Sequence, residues 1–133
     1  MRYLHTMIRV GDIDSSLKFY HEILGFREIR RADYPNDKFT LVFLQAPGET
    51  DDKFGPMLEL TYNYGVESYD IGDGYGHIAL KVDSISELQV TIEKHGLAFS
   101  WGPGKTPDGR KKMAFLTDPD GYKIELIEYV SQT

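Results

Sequence analysis

The chain has 133 residues, 41% hydrophobic and 27% charged, the size and composition of one ordinary folded domain. Its formal net charge of −6 offers no electrostatic draw to a nucleic-acid backbone. It has no cysteine, which excludes disulfides, zinc–thiolate sites and thiol nucleophiles within it and fits a reducing, cytoplasmic compartment.

Leu4 to Val10 alternates as a half-buried strand does, with Leu4, Thr6, Ile8 and Val10 on one face and His5, Met7 and Arg9 on the other. No basic segment and apolar run precede it, so no signal peptide is expected, and no apolar run reaches the length of a membrane span. Asp12 is placed to cap a helix with the apolar stripe Ile13, Leu17, Tyr20 and Leu24, and Gly25 is a left-handed stop. Strands are predicted over Phe26–Ala32, Lys38–Leu44 and Met57–Tyr62, with an exposed loop at Ala46–Asp52.

The second half repeats the plan. A strand is predicted from His77 to Val82, then a helix opened by the capping box Ser84-Ile85-Ser86-Glu87, striped by Ile85, Leu88 and Ile92, and ended at Gly96. Strands follow at Ala98–Trp101, Lys112–Thr117 and Tyr122–Tyr129. The chain therefore reads as α+β: one domain, 1–133, of two tandem βαβββ modules spanning about 1–65 and 74–133, joined in a curved mixed sheet with helices outside and a concave face within. His5, Arg9, Glu59, Thr61, Asn63, His77, Lys81, Glu125 and Ile127 fall on the predicted concave side.

The register of the repeat carries the chemistry. His5 to His77 is a step of 72 (77−5), as is Val10 to Val82 (82−10). Each module opens on a strand histidine and closes on a strand glutamate, Glu59 and Glu125, 54 (59−5) and 48 (125−77) residues on. A carboxylate inside an apolar strand is costly unless something pairs with it. Two imidazoles and two carboxylates suit a divalent cation with positions left open for water or substrate, which points to catalysis more than to a structural ion. His21 and His95 belong to helix ends and read as surface residues. Asp118-Pro119-Asp120-Gly121 is a tight turn and not a calcium loop, because Ile127 stands where a twelfth-position glutamate is needed. Gly72-Asp73-Gly74-Tyr75-Gly76 precedes a strand, so it is no phosphate cradle, and Trp101 with the tyrosines reads as core or pocket wall.

Leu4-His5-Thr6-Met7-Ile8-Arg9-Val10-Gly11-Asp12, Glu59-Leu60-Thr61-Tyr62-Asn63-Tyr64-Gly65, Tyr75-Gly76-His77-Ile78-Ala79 and Asp118–Glu125 together closely resemble the glyoxalase I (lactoylglutathione lyase) family of the vicinal oxygen chelate superfamily. The likeness runs from the first strand to the last. It implies that His5, Glu59, His77 and Glu125 hold a metal at a homodimer interface, His5 and Glu59 from one subunit with His77 and Glu125 from the other. For a chain this short it implies nickel, with cobalt as substitute and zinc a poorer one. The implied reaction converts the methylglyoxal–glutathione hemithioacetal to S-D-lactoylglutathione, detoxifying methylglyoxal without a redox cofactor. Glu125 is the implied base moving a proton from C1 to C2, with Glu59 its symmetric partner. Arg9 and Asn63 are implied at the γ-glutamyl end of glutathione, His77 also touches substrate, and Arg110 and Lys111 are assigned to the glycyl end in a basic loop, Lys105–Lys112.

Four rivals share the scaffold. A dioxygenase would use two histidines and one carboxylate, which Glu59 as a fourth ligand opposes. An acyl-CoA epimerase would need a nucleotide pocket of which the sequence holds no signature. A metal-free drug-binding dimer would not need the four ligands. A trypanothione-dependent glyoxalase would meet an amidated glycyl end, whereas a basic loop favours a free carboxylate.

Overall fold

The computed structural model describes residues 1–50 and 53–130. The strands hydrogen-bond into two four-stranded mixed sheets, and the chain divides into two compact units, Met1–Asp70 and Ile71–Thr133. Each unit has the βαβββ order expected from the sequence.

In the first unit β1 (His5–Arg9) lies at one edge, and the order across the sheet is β1, β4 (Met57–Asn63), β3 (Phe39–Gln45), β2 (Arg27–Tyr34). β1 pairs parallel to β4, and the other pairs are antiparallel. One sheet face supplies Ile8, Val10, Val42, Leu44, Leu58 and Leu60, all buried, and Phe19, Tyr20, Ile23 and Phe26 complete this core. Each such side chain contributes about 1.5–3 kcal/mol by leaving water. Asp12 caps α1 (Ile13–Leu17) as expected, accepting from the Ser15 N–H at 3.0 Å.

The helix departs from its sequence-based reading after Leu17. It widens into a π-helical segment, Lys18–Ile23, and the buried positions are Ser16, Phe19, Tyr20 and Ile23, while Ile13, Leu17 and Leu24 are half-buried. These buried positions keep the i, i+3, i+4, i+7 spacing of a helical stripe, and the Phe19 and Tyr20 rings meet edge to face in the core. Gly25 stops the helix with φ +79°. The loop after β3 is exposed in its described part, where the Arg27 guanidinium donates to Gln45 Oε1, Pro47 O and Glu49 O; Asp51 and Asp52 lie outside the described residues.

In the second unit the order is β5 (Ile78–Lys81), β8 (Lys123–Tyr129), β7 (Lys111–Thr117), β6 (Trp101–Lys105), again with one parallel pair at the edge. Ser84 caps α2 (Ile85–Lys94), accepting from the Glu87 N–H at 3.1 Å, and Ile85 and Ile92 pack inward with Ala114, Leu116, Ile124 and Leu126. The Asp118–Gly121 segment is the expected tight turn. Asp118, 4% exposed, accepts from the Asp120 and Tyr122 N–H groups at 2.9 Å. Tyr75 ties the glycine-rich approach to β8 by donating to Lys123 O at 3.1 Å, and burial pushes its phenol above the usual range.

β6 begins where the predicted Ala98–Trp101 strand ends, so Ala98, Phe99 and Ser100 lie ahead of it. Most of the expected Lys105–Lys112 loop, residues 106–110, is the turn of a hairpin, while Lys105 closes β6 opposite Lys112, and Lys111 and Lys112 open β7. The turn is locked locally, since the Thr106 hydroxyl and the Arg110 N–H both donate to Asp108 and hold its carboxyl below the ordinary range.

Gly11 passes directly against the backbone that follows β4: a Cβ there would sit 2.0 Å from the Glu67 carbonyl oxygen. Gly11→Ala is therefore expected to destabilise the fold by about 1–3 kcal/mol, the usual cost of an overpacked site, read as a lowered Tm. An unchanged Tm would show that the approach is not tight.

Candidate metal centre

In the first unit Met7 stands opposite Glu59 across the parallel β1–β4 pair. Opposed residues share a sheet face, and so do residues two apart on one strand. His5 therefore lies on the Glu59 face, one side chain back along β1, and its Nε2 is 2.9 Å from Glu59 Oε1. The carboxylate is nearly enclosed, at 11% side-chain exposure, while the imidazole is 37% exposed. Thr61, two residues along the same face, directs its hydroxyl at Glu59 Oε2 from 3.5 Å.

The second unit repeats the register. Ala79 opposes Glu125, and His77 stands two residues before Ala79, just ahead of β5. His77 Nε2 lies 3.8 Å from Glu125 Oε1, again with an enclosed carboxylate (15%) and a more open imidazole (42%). The four residues singled out in the sequence thus form two like pairs, each within one sheet.

These donors fit a divalent cation. Two ligand atoms bound to one ion at about 2.1 Å are about 3.0–3.4 Å apart between octahedral and tetrahedral angles. The 2.9 Å and 3.8 Å separations bracket that span, so each pair needs a side-chain adjustment of less than an ångström. Each pair supplies one nitrogen and one oxygen, and among the described residues no group of three histidine, aspartate or glutamate side chains gathers. A catalytic metal is ordinarily held by at least three protein ligands, so neither pair by itself completes such a site.

A third residue beside each pair was not singled out from the sequence. Phe43 opposes Glu59 on β3, and Phe115 opposes Glu125 on β7. Their rings meet the histidines edge to face, at 5.6 Å for His5 and 5.4 Å for His77. This is a preferred aromatic arrangement, and it favours one orientation of each imidazole plane. The signal was present: Phe43 to Phe115 is the same step of 72 (115−43) that links the histidines.

The substrate-facing candidates separate by strand parity. Arg9 opposes Thr61 and shares the His5 face. Asn63 follows on the same face of β4, its amide donating to the Tyr69 hydroxyl at 3.0 Å. Lys111 opposes Tyr129, with its ammonium 5.3 Å from that ring, on the Glu125 face. Lys112 points to the opposite face. Its Nζ is 3.8 Å from Glu128, which also accepts from the Ile85 N–H at 2.7 Å and so anchors the start of α2. Arg110 is exposed in the turn, its carbonyl accepting from the Val130 N–H. His21 and His95 are exposed at helix ends as expected, and His21 Nδ1 meets Phe26 O at 2.6 Å.

Residues 2–126 match the Glyoxalase/Bleomycin resistance protein/Dioxygenase superfamily. The lactoylglutathione lyase of Salmonella typhimurium is 47% identical over 128 residues, 96% of this chain and 93% of the relative. The probable lactoylglutathione lyase of Synechocystis is 46% identical over 99% of this chain and 98% of its own length. Among solved structures, the trypanothione-dependent glyoxalase I of Leishmania major is 48% identical with a TM-score of 0.80, over 96% of this chain and 86% of that one. Glyoxalase I of Zea mays is 40% identical with a TM-score of 0.84, over 98% of this chain and 46% of the longer plant chain. This chain belongs to the lactoylglutathione lyase family of the Glyoxalase/Bleomycin resistance protein/Dioxygenase superfamily.

Proposed function

We infer that the protein is a lactoylglutathione lyase, a metal-dependent isomerase of the methylglyoxal–glutathione hemithioacetal. The observation that carries this reading is the repeated pair: a largely enclosed glutamate and a more open histidine at one register offset in both sheets. Near-full-length relatives of that name, 45–47% identical, support it. His5, Glu59, His77 and Glu125 would hold the cation, and the incompleteness of each pair supports a homodimer in which His5 and Glu59 of one subunit meet His77 and Glu125 of the other. Oxygen and imidazole donors without thiolate suit a six-coordinate ion, and nickel is our choice, ahead of cobalt and then zinc. A cytoplasmic setting would keep the thiol cosubstrate reduced.

When bound, the cation supplies Lewis-acid polarisation of the two vicinal oxygens of the hemithioacetal. The chain's own part is proton transfer and orientation. Glu125 takes the C1 proton and returns it to C2, so no net proton or electron leaves the substrate. Its carboxylate is largely enclosed, at 15% side-chain exposure, and positioned transfer of this kind contributes about 10²–10⁴-fold. Glu59, equivalent by register, would serve the other hemithioacetal stereoisomer. Arg9 offers a bidentate partner to the γ-glutamyl carboxylate, Asn63 its amide, and Lys111 with Arg110 the glycyl end.

A second reading is trypanothione dependence, which the Leishmania relative favours. The thiols differ at the glycyl end, where trypanothione has no free carboxylate. Lys111 on the Glu125 face favours glutathione.

Metal-stripped protein refilled with Ni²⁺ or Co²⁺ is expected to form S-lactoylglutathione, followed by ultraviolet absorbance, and to respond weakly to Zn²⁺; activity with zinc alone would overturn the metal choice, and inactivity with all three the reaction. His5→Ala and His77→Ala chains are each expected to be inactive alone but to regain activity when mixed and refolded together, because one centre per mixed dimer keeps all four ligands. Failure to complement would place each centre within a single chain. Lys111→Ala is expected to raise KM for the glutathione hemithioacetal about tenfold, the value of one charge-assisted contact, while Lys112→Ala lowers Tm and leaves KM alone. The reverse pattern would exchange their roles.

A further inference from the structure

The two rows match from histidine to phenylalanine and then diverge. On the fourth strand of the first sheet, Arg30 opposes Phe43 and its guanidinium lies 4.0 Å from the ring centroid. At the corresponding place in the second sheet, Trp101 opposes Phe115, with ring centroids 6.1 Å apart and planes at 79°. One pair is thus flanked by a cation and the other by an indole, along the row Trp101, Phe115, His77.

The indole is seated. The register of β6 slips between Trp101 and Gly104, a bulge of the kind that re-aims a side chain. A Cβ on Gly104 would lie 2.6 Å from indole Cη2, so the ring lies over this glycine. Gly104 beneath and Phe115 beside it fix the ring, yet Trp101 remains 52% exposed. Its open surface is on the face that carries His77 and Glu125.

The hemithioacetal has one apolar part, the carbon substituent inherited from its 2-oxoaldehyde; its thiol portion carries charges met by Arg9, Asn63 and Lys111. We propose that Trp101 is a specificity-determining residue, an aromatic wall that receives this substituent and favours aryl over methyl 2-oxoaldehydes. The proposal rests on the lyase reading above. It assigns the substituent to the pair beside the indole because an aryl ring gains stacking against indole that a methyl group does not.

The test compares kcat/KM for the glutathione hemithioacetals of phenylglyoxal and methylglyoxal in the metal-loaded enzyme and in Trp101→Ala and Trp101→Phe. The phenyl-to-methyl ratio is expected to fall about 5- to 10-fold in the alanine variant, the scale of one aromatic contact, and to be largely kept in the phenylalanine variant. An equal loss for both substrates, or no change in the ratio, overturns the proposal. Trp101 is the only tryptophan in the chain, so its fluorescence reports the contact directly. S-benzylglutathione is expected to shift its emission well beyond S-methylglutathione, and equal responses overturn the assignment. Turnover of neither hemithioacetal by the unmodified enzyme, with the emission still shifted by S-benzylglutathione, overturns the lyase reading and leaves Trp101 supported as an aryl-binding wall.

Discussion

A carboxylate enclosed in a sheet and answered by an imidazole across a parallel strand pair is the interaction on which the site depends. Burying Glu59 or Glu125 among apolar strands is costly without a partner. The partner cannot come from the opposing position, which Met7 or Ala79 occupies, so it comes from one side chain back along the edge strand. That offset is the same in both units. It leaves each histidine more open than its glutamate, with Nε2 turned toward the carboxylate.

The parallel edge pair explains why the fold serves this chemistry. A parallel connection requires a crossover, and here the crossover passes through a helix and two strands before the chain returns beside its start. The glutamate strand is therefore interior, flanked by the histidine strand on one side and the phenylalanine strand on the other. An interior strand enforces its register on both neighbours, so His5, Glu59 and Phe43 form a row that cannot slip without exposing Leu58 and Leu60. The second unit builds the same row from His77, Glu125 and Phe115.

Duplication supplies two such rows, and divergence at the fourth strand makes them unequal. Arg30 and Trp101 occupy equivalent places with opposite chemistry, one cationic and one apolar. The hairpin of Lys105 to Lys112 adds a further division: alternation along β7 sends Lys111 to the Glu125 face and commits Lys112 to holding Glu128 at the start of α2.

By itself the sequence determined the repeat, most strand positions, both N-caps, the Asp118–Gly121 turn and the two His–Glu pairs. These are local or periodic properties: alternation sets faces, capping residues act within three positions, and a fixed step of 72 aligns the histidines. Tertiary structure decided the rest. The π-helical winding of Lys18–Ile23 is one such feature, because its buried residues have the spacing of an ordinary α-helix and carry no sign of it. β6 starts at Trp101 because its bulge is set by pairing with β7, not by its own residues. The roles of Phe43, Phe115, Arg30 and Trp101 arise from cross-strand register, which joins residues far apart in the chain, and register is fixed only when the strands are laid side by side.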